Sequence, residues 1–308
     1  MQKIIRIGTR ESQLAVWQAN EVKRLLELNG YPAELVFIKS EGDIDLHTPL
    51  YEMGVQGVFT RSLDAALLNS RIDIAVHSMK DVPTILPVGL IQGAVLTRAS
   101  QKDLFVYKNN TLFLDDFESS KVIATSSIRR KSQWLNRYPN HTIENIRGNV
   151  NTRLQKLKEQ NWEGAIFAAA GLERIGVRPE NSIDLNWMLP APAQGAIMIV
   201  ARKNDDYSLE ATQTINDPST ASCTKIERDF LRTLLGGCST PISAYAEIKN
   251  DHVHFKGNIL SLDGKEKAEI EVVEEITSSI TDLGVKAAYK ILENGGEAIA
   301  VKIRNTAK

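Results

Sequence analysis

The chain has 308 residues, more than one hydrophobic core usually holds, so two or three domains are expected. Its formal net charge of -1 excludes polyanion binding by bulk charge and argues against a nucleic-acid binder, so any anion site has to come from locally clustered arginines. No run of about 18 apolar residues occurs, and the opening MQKIIRIGTRESQLA turns polar at once; neither a membrane span nor a signal peptide is expected, and a cytoplasmic location is.

From the N-terminus, residues 3–8 read as a strand and 12–28 as an amphipathic helix that stops at Asn29-Gly30. Residues 33–40 alternate apolar and polar, as a half-buried strand does. The polar, glycine-bearing stretch 41–57 has no period and is expected to be a long loop of the lid kind. A helix over 60–68 and an apolar strand over 72–76 follow, before Pro83 and Pro87 break the pattern. A second block has strands over 104–107, 122–125, 142–146 and 165–168, with helices over 128–138, 150–160 and 170–175. Such alternation argues for an α/β sheet with helices on both faces. The proline-rich stretch 186–192 leads into a strong strand over 196–201. A return of that strand to the first block would interleave two α/β domains. Beyond residue 219 the pattern changes to a helix over 220–235, strands over 242–248, 252–260 and 268–273, and a final helix over 279–294. That part reads as a smaller α+β domain.

Four polar loops each follow an expected strand at its C-terminal end, the edge where open α/β sheets bind ligands. IGTRESQLA carries Arg10 and Ser12, and DIAVHSMKDVP carries His77, Ser78, Lys80 and Asp81. ATSSIRRKSQ carries Thr125, Ser126, Ser127, Arg129 and Arg130, and ENIRGNVNTRLQKL carries Arg147, Asn149, Asn151 and Arg153. Arg174 sits on the next element. Arginine's planar fork of donors matches a carboxylate, and Ser or Thr ahead of a helix adds free backbone N–H groups. The pattern calls for a ligand with several negative charges spread over some distance. Residue type alone leaves phosphate open, although no GxxxxGKS or GxxxxGKT loop is present. The competing account of Arg129 and Arg130 is a solvated helix face.

Asp81, beside Lys80, is either a surface ion pair or cap, or a carboxylate that stabilises a cationic intermediate and moves a proton. Two cysteines are too few for a disulfide framework. Cys223 reads as packing within a helix. Cys238, in LLGGCSTPISAYA, is either a small buried residue or a thiol exposed on a bare glycine loop. His47, His77, His141, His252 and His254 show no zinc spacing with the cysteines, so no metal is expected.

In order, IGTRESQLA, GVFTRSLDAAL, DIAVHSMKDVP, TSSIRR, IRGNVNTRL, GLERIG, PAPAQGAI and LLGGCSTPI closely resemble the porphobilinogen deaminase (hydroxymethylbilane synthase) family, from Ile4 to about Ala246. The resemblance implies two periplasmic-binding-protein-like α/β domains with an interleaved crossover, residues 1–98 with 196–217 and residues 99–195, plus a small α+β C-terminal domain over 218–308. It implies a transferase of tetrapyrrole (porphyrin and heme) biosynthesis. Four porphobilinogen molecules would be condensed head to tail on a dipyrromethane primer, with ammonia and then hydroxymethylbilane released. The primer would be a thioether on Cys238, and Asp81 would be the catalytic carboxylate that stabilises an azafulvene cation. Arg10, Ser12, Lys80, Thr125, Ser127, Arg129, Arg130, Arg147, Arg153 and Arg174 match positions that hold cofactor or substrate carboxylates. Ser78 and Gln194 match positions lining the cleft, and the 41–57 loop matches a mobile cover. Many relatives carry an acidic residue where His47 stands and lysine at Gln56, which bears on how that loop closes. A monomer is implied, with porphobilinogen as substrate and neither nucleic acid nor membrane as partner. The rival account is a solute-binding protein for an organic anion; Asp81, Cys238 and the lack of an export signal favour the enzyme.

Overall fold

The computed structural model describes residues 3–39, 60–234, 240–276 and 278–306. The expected 41–57 loop, with His47 and Gln56, and the segment holding Cys238 lie outside the described residues.

Strand β1 (Ile5–Thr9) leads into helix α1 (Gln13–Leu28), whose first turn is capped by Ser12: its Oγ accepts the Ala15 N–H at 3.4 Å. Strand β2 (Ala33–Phe37), helix α2 (Arg61–Leu68), and strands β3 (Ile74–Ser78) and β4 (Leu90–Val95) follow. The chain then builds a second sheet from β5 (Asp103–Tyr107), β6 (Val122–Ala124), β7 (Thr142–Glu144), β8 (Gly164–Ala168) and β9 (Ser182–Asp184). Its helices are α3 (Ile128–Arg137), α4 (Val150–Glu159) and α5 (Ala169–Arg174). Strand β10 (Ile197–Arg202) goes back to the first sheet, followed by α6 (Asp206–Gln213).

The two sheets share one plan. The first runs β2-β1-β3-β10-β4 and the second β7-β6-β8-β5-β9. In each, three strands are parallel, the fourth is antiparallel to both its neighbours, and an edge strand closes the row. The antiparallel strand, β10 in one and β5 in the other, arrives in each case directly after a crossover from the other sheet. The α/β domains are therefore interleaved, as the strand over 196–201 suggested. Central strands such as β3 and β10 are buried along nearly their whole length, which is why they read as continuous apolar runs. Ile5, Ile7, Val22, Leu26, Ile74 and Ile199 form the core of the first sheet. Phe105, Ile123, Trp134, Tyr138 and Ile166 form that of the second.

The C-terminal part has helix α7 (Pro218–Leu234) and an antiparallel sheet of β11 (Ile242–Lys249), β12 (His252–Leu260) and β13 (Lys267–Glu275). Phe230 of α7 meets Phe255 of β12 edge to face, with ring centroids 5.1 Å apart. Gly257 permits that approach, because a Cβ there would stand 2.6 Å from the Phe230 ring. Within the final helix expected over 279–294 the structure has the shorter α8 (Leu283–Ile291), and a further helix beyond that span, α9 (Glu297–Thr306), was not expected. Gly295, at φ +94, breaks the run because no L side chain rests comfortably there.

The described chain falls into two compact units. One joins the residues up to Ala99 with Gly195–Ser222, and the other joins Ser100–Gln194 with Cys223 onward. No helix among the described residues is long and apolar enough to cross a membrane.

Candidate active site

In the first unit, β1 and β3 are parallel neighbours, with Ile7 opposite Ile74, so their C-terminal ends lie at one sheet edge. Arg10 follows β1 and is half-buried; Ser12 is used as the α1 cap. Ser78 ends β3, and its hydroxyl receives the Gln18 Nε2–H of α1 at 2.9 Å, which ties the strand end to the helix. The chain then makes a single tight turn over Met79–Asp81. Buried Met79 anchors that turn, Lys80 is half-buried and Asp81 is exposed to solvent. His77, just before Ser78, is buried. Burial first, and the charge of Arg10 second, push its imidazole down to about 4, so it is neutral at physiological pH. Its Nε2 is buried with no hydrogen-bond partner among the described residues.

In the second unit, β6 and β7 are likewise parallel neighbours, and the next two loops leave their C-terminal ends. Ser126 clamps these loops together: its Oγ donates to the Ile146 carbonyl at 2.8 Å and accepts the Ile146 N–H at 2.9 Å. The Thr125 hydroxyl accepts the Ser127 N–H at 3.2 Å, and Ser127 caps α3 by accepting the Arg130 N–H at 3.4 Å. Arg147 is buried ahead of Gly148, whose φ of +114 aims the chain into α4. Asn149 caps α4, its Oδ1 accepting the Thr152 N–H at 3.0 Å. Arg153 on α4 lies over the Phe167 ring, 5.5 Å from its centroid. Arg174 closes α5, and burial pulls its guanidinium down to about 10.

Arg129 and Arg130 do not form a solvated helix face, the competing account of them: they are 4% and 6% exposed. Both turn inward to Asp103, at the start of β5, which is fully buried. Arg129 Nη2 donates to Asp103 Oδ2 at 2.6 Å, and Arg130 donates to Oδ1 through Nη2 at 2.7 Å and Nε at 3.1 Å. Arg129 Nη1 also donates to the Leu189 carbonyl at 2.6 Å, and Arg130 Nη1 to that of Ile166 at 3.0 Å. Gln194 completes the cluster, its Nε2 donating to Asp103 Oδ1 at 2.9 Å. Asp103 is absent from the sequence-derived candidates. The only hint of it was its place beside Lys102, at the start of a strand whose other residues are apolar.

This cluster sets two guanidiniums against one carboxylate. Burial holds Arg129 below the usual guanidinium range, with Asp103 opposing that shift, and Arg129 Nε is buried with no hydrogen-bond partner among the described residues. A buried cationic excess favours an added anion. The donor set therefore fits a carboxylate-bearing ligand better than a neutral one. A cavity of about 580 Å³ elsewhere in the unit is lined by Gln133, Arg137, Trp187 and Asn258, and by none of the candidate arginines.

One pH dependence follows. In the second unit, His141 Nδ1 accepts the Trp134 Nε1–H at 3.0 Å, which fixes a neutral imidazole, and burial lowers its pKa as it does that of His77. The folded chain keeps both rings neutral, whereas the unfolded chain protonates them near 6.5. Their contribution is complete above about pH 6.5 and is lost as pH falls toward the folded value, which is about 4 for His77. For His77 this amounts to at most about 3 kcal/mol. Urea denaturation between pH 7 and pH 4.5 should show a steeper loss for the wild type than for His77→Asn. Equal slopes would contradict the assignment.

Comparison with known proteins gives a consistent result. The model of the family "Porphobilinogen deaminase, dipyromethane cofactor binding domain" matches residues 5–210, and that of "Porphobilinogen deaminase, C-terminal domain" matches residues 221–293. The porphobilinogen deaminase of Chlorobium phaeobacteroides is 38% identical, covering 99% of this chain and 100% of its own. That of Trichlorobacter lovleyi is 40% identical, covering 96% of each. Among solved structures, the methionine-binding protein MetQ aligns with a TM-score of 0.44 and 12% identity, covering 71% of this chain and 92% of that one.

Proposed function

The chain belongs to the porphobilinogen deaminase family, and from that premise we propose that its arginine-lined strand ends hold a dipyrromethane primer while four porphobilinogen molecules are added to it. The reaction releases ammonia at each addition and hydroxymethylbilane at the end, within tetrapyrrole biosynthesis. The observation that carries the assignment of roles is the Asp103 cluster, which aligns two guanidiniums and leaves a cationic excess for an anion. When bound, the dipyrromethane supplies a pyrrole carbon nucleophile and a row of acetate and propionate carboxylates.

Arg129, Arg130, Arg147, Arg153 and Arg174 hold those carboxylates, with Thr125 and Ser127 offering hydroxyl donors and Gln194 supporting the pair through Asp103. Arg10, Ser12 and Lys80 do the same around Asp81, and Ser78 lines the site. Asp81 keeps a proton in play at the porphobilinogen aminomethyl nitrogen and faces the positive charge that forms as ammonia leaves. Its exposed place at the end of a short, anchored turn supports that role. Cys238 is the attachment point, and Cys223, buried in α7, is not. The division into residues 1–98 with 196–217, 99–195 and 218–308 goes with this reading, as do a cytoplasmic location and a monomer.

The test uses porphobilinogen itself. Wild-type protein should release ammonia from it. Asp81→Ala should still bind it, with turnover reduced at least about a hundredfold. Binding without ammonia release by the wild type would favour the solute-binding alternative, and near-normal turnover by the variant would remove Asp81 from its role.

A further inference from the structure

Glu227 lies in the middle of α7 and is fully buried. A buried carboxylate is costly unless both oxygens find donors. Here Oε1 accepts the Ala246 N–H of β11 at 2.8 Å, and Oε2 accepts the Ala193 N–H at 2.6 Å. Both are charge-assisted bonds to backbone, among the stronger hydrogen bonds a protein makes.

The second bond falls on an unusual residue. Ala193 has φ +62, a left-handed conformation that a residue with a Cβ adopts only when its surroundings hold it there. Ala193 precedes Gln194, whose N–H is turned back to the Ala191 carbonyl at 2.9 Å. The Gln194 side chain is buried, and its Nε2 reaches the Gln101 carbonyl at 2.7 Å and Asp103 Oδ1 at 2.9 Å. Asp103 in turn carries Arg129 and Arg130. A path of short polar contacts, joined by the covalent link from Ala193 to Gln194, thus runs from α7 through a strained turn to both guanidiniums.

We propose that Glu227 is a positioning residue for the carboxylate grip: by holding Ala193 in its left-handed turn it sets Gln194, and through Gln194 and Asp103 the orientation of Arg129 and Arg130. The inference rests on the reading of those two arginines as carboxylate-holding residues. It also gives α7 a second role, since the helix ends at Leu234, shortly before Cys238 in sequence. The same helix would then lead to the attachment point and set the grip on what is attached.

The consequence is specific. Glu227→Gln keeps the shape and one carbonyl oxygen, so it removes one of the two acceptors; Glu227→Leu removes both. The grip contributes binding more than chemistry, so KM for porphobilinogen should rise while kcat per primer-loaded chain stays within about twofold. Loss of one charge-assisted bond corresponds to about tenfold in KM for Glu227→Gln. The Glu227→Gln and Asp103→Asn changes act on one pathway, so the double variant should be little worse in KM than the poorer single variant.

The experiment measures kcat, KM and urea midpoint for the holoenzyme and these variants, together with the fraction of purified chain that carries the primer by intact mass. The expected result is raised KM, non-additive with Asp103→Asn, and lower primer occupancy in the order wild type, Glu227→Gln, Glu227→Leu. A lowered urea midpoint with unchanged KM and full primer occupancy would show a purely structural carboxylate and overturn the proposal, as would additive effects on KM. If Glu227→Leu does not fold, Glu227→Gln alone decides. A wild type that carries no primer and does not turn over porphobilinogen would instead defeat the functional reading on which the proposal rests.

Discussion

Asp103→Ala should cost the folded protein about 3–5 kcal/mol, a large share of the stability an ordinary domain possesses. The carboxylate is fully buried and receives Arg129, Arg130 and Gln194 together. Removing it leaves two guanidiniums in a low-dielectric site with their countercharge gone, a penalty well beyond the loss of the bonds themselves. Asp103→Asn keeps the shape and one acceptor oxygen and should cost less. An exposed pair provides the control: Arg304 and Glu297 meet at 2.6 Å but are 52% and 56% exposed, so Glu297→Gln should leave stability nearly unchanged. Urea midpoints at constant slope would show the contrast. A loss below about 1 kcal/mol for Asp103→Ala would mean that water or a rearranged partner replaces the carboxylate, and the cluster would not be the organising feature described above.

This case also marks what the sequence can and cannot convey. The loop after β3 was legible because a strand buried on both faces reads as an apolar run, and the others because Ser12, Ser127 and Asn149 stand where helix caps belong. Strand β4 was missed because Gly93 and the prolines before it blur its pattern. Strand β9 was missed because it is three residues long, and α6 because it is polar and held by its Asp205 cap. The central partner of the arginines was missed for another reason. Asp103 is distant in sequence from Arg129, Arg130 and Gln194, and only the antiparallel insertion of β5 brings it among them. A lone aspartate at a strand start looks the same whether it faces water or two guanidiniums. The arginines themselves were legible as a type, but their inward direction was not.

The two cysteines make the corresponding point about chemistry. Cys223 is buried in α7 beside Ile226 and Phe230, as free cysteines usually are. In sequence Cys238 follows the same helix after a glycine pair, and its proposed role as a thioether anchor draws on the family and on the anion-holding residues rather than on anything that would activate its thiolate. A permanent anchor needs one bond-forming event, not repeated turnover, so an ordinary thiol suffices.

Replacing that thiol should have the largest effect of all, because without an attachment point the primer is not retained and turnover falls to background. The most direct measurement is the intact mass of the purified protein. The wild type and Cys223→Ala should both carry an excess equal to two linked pyrroles, and Cys238→Ala should show the bare polypeptide mass and no turnover of porphobilinogen. A wild-type chain that turns over porphobilinogen at its unmodified mass, or a Cys238→Ala chain that still carries the excess, would contradict the covalent primer at Cys238.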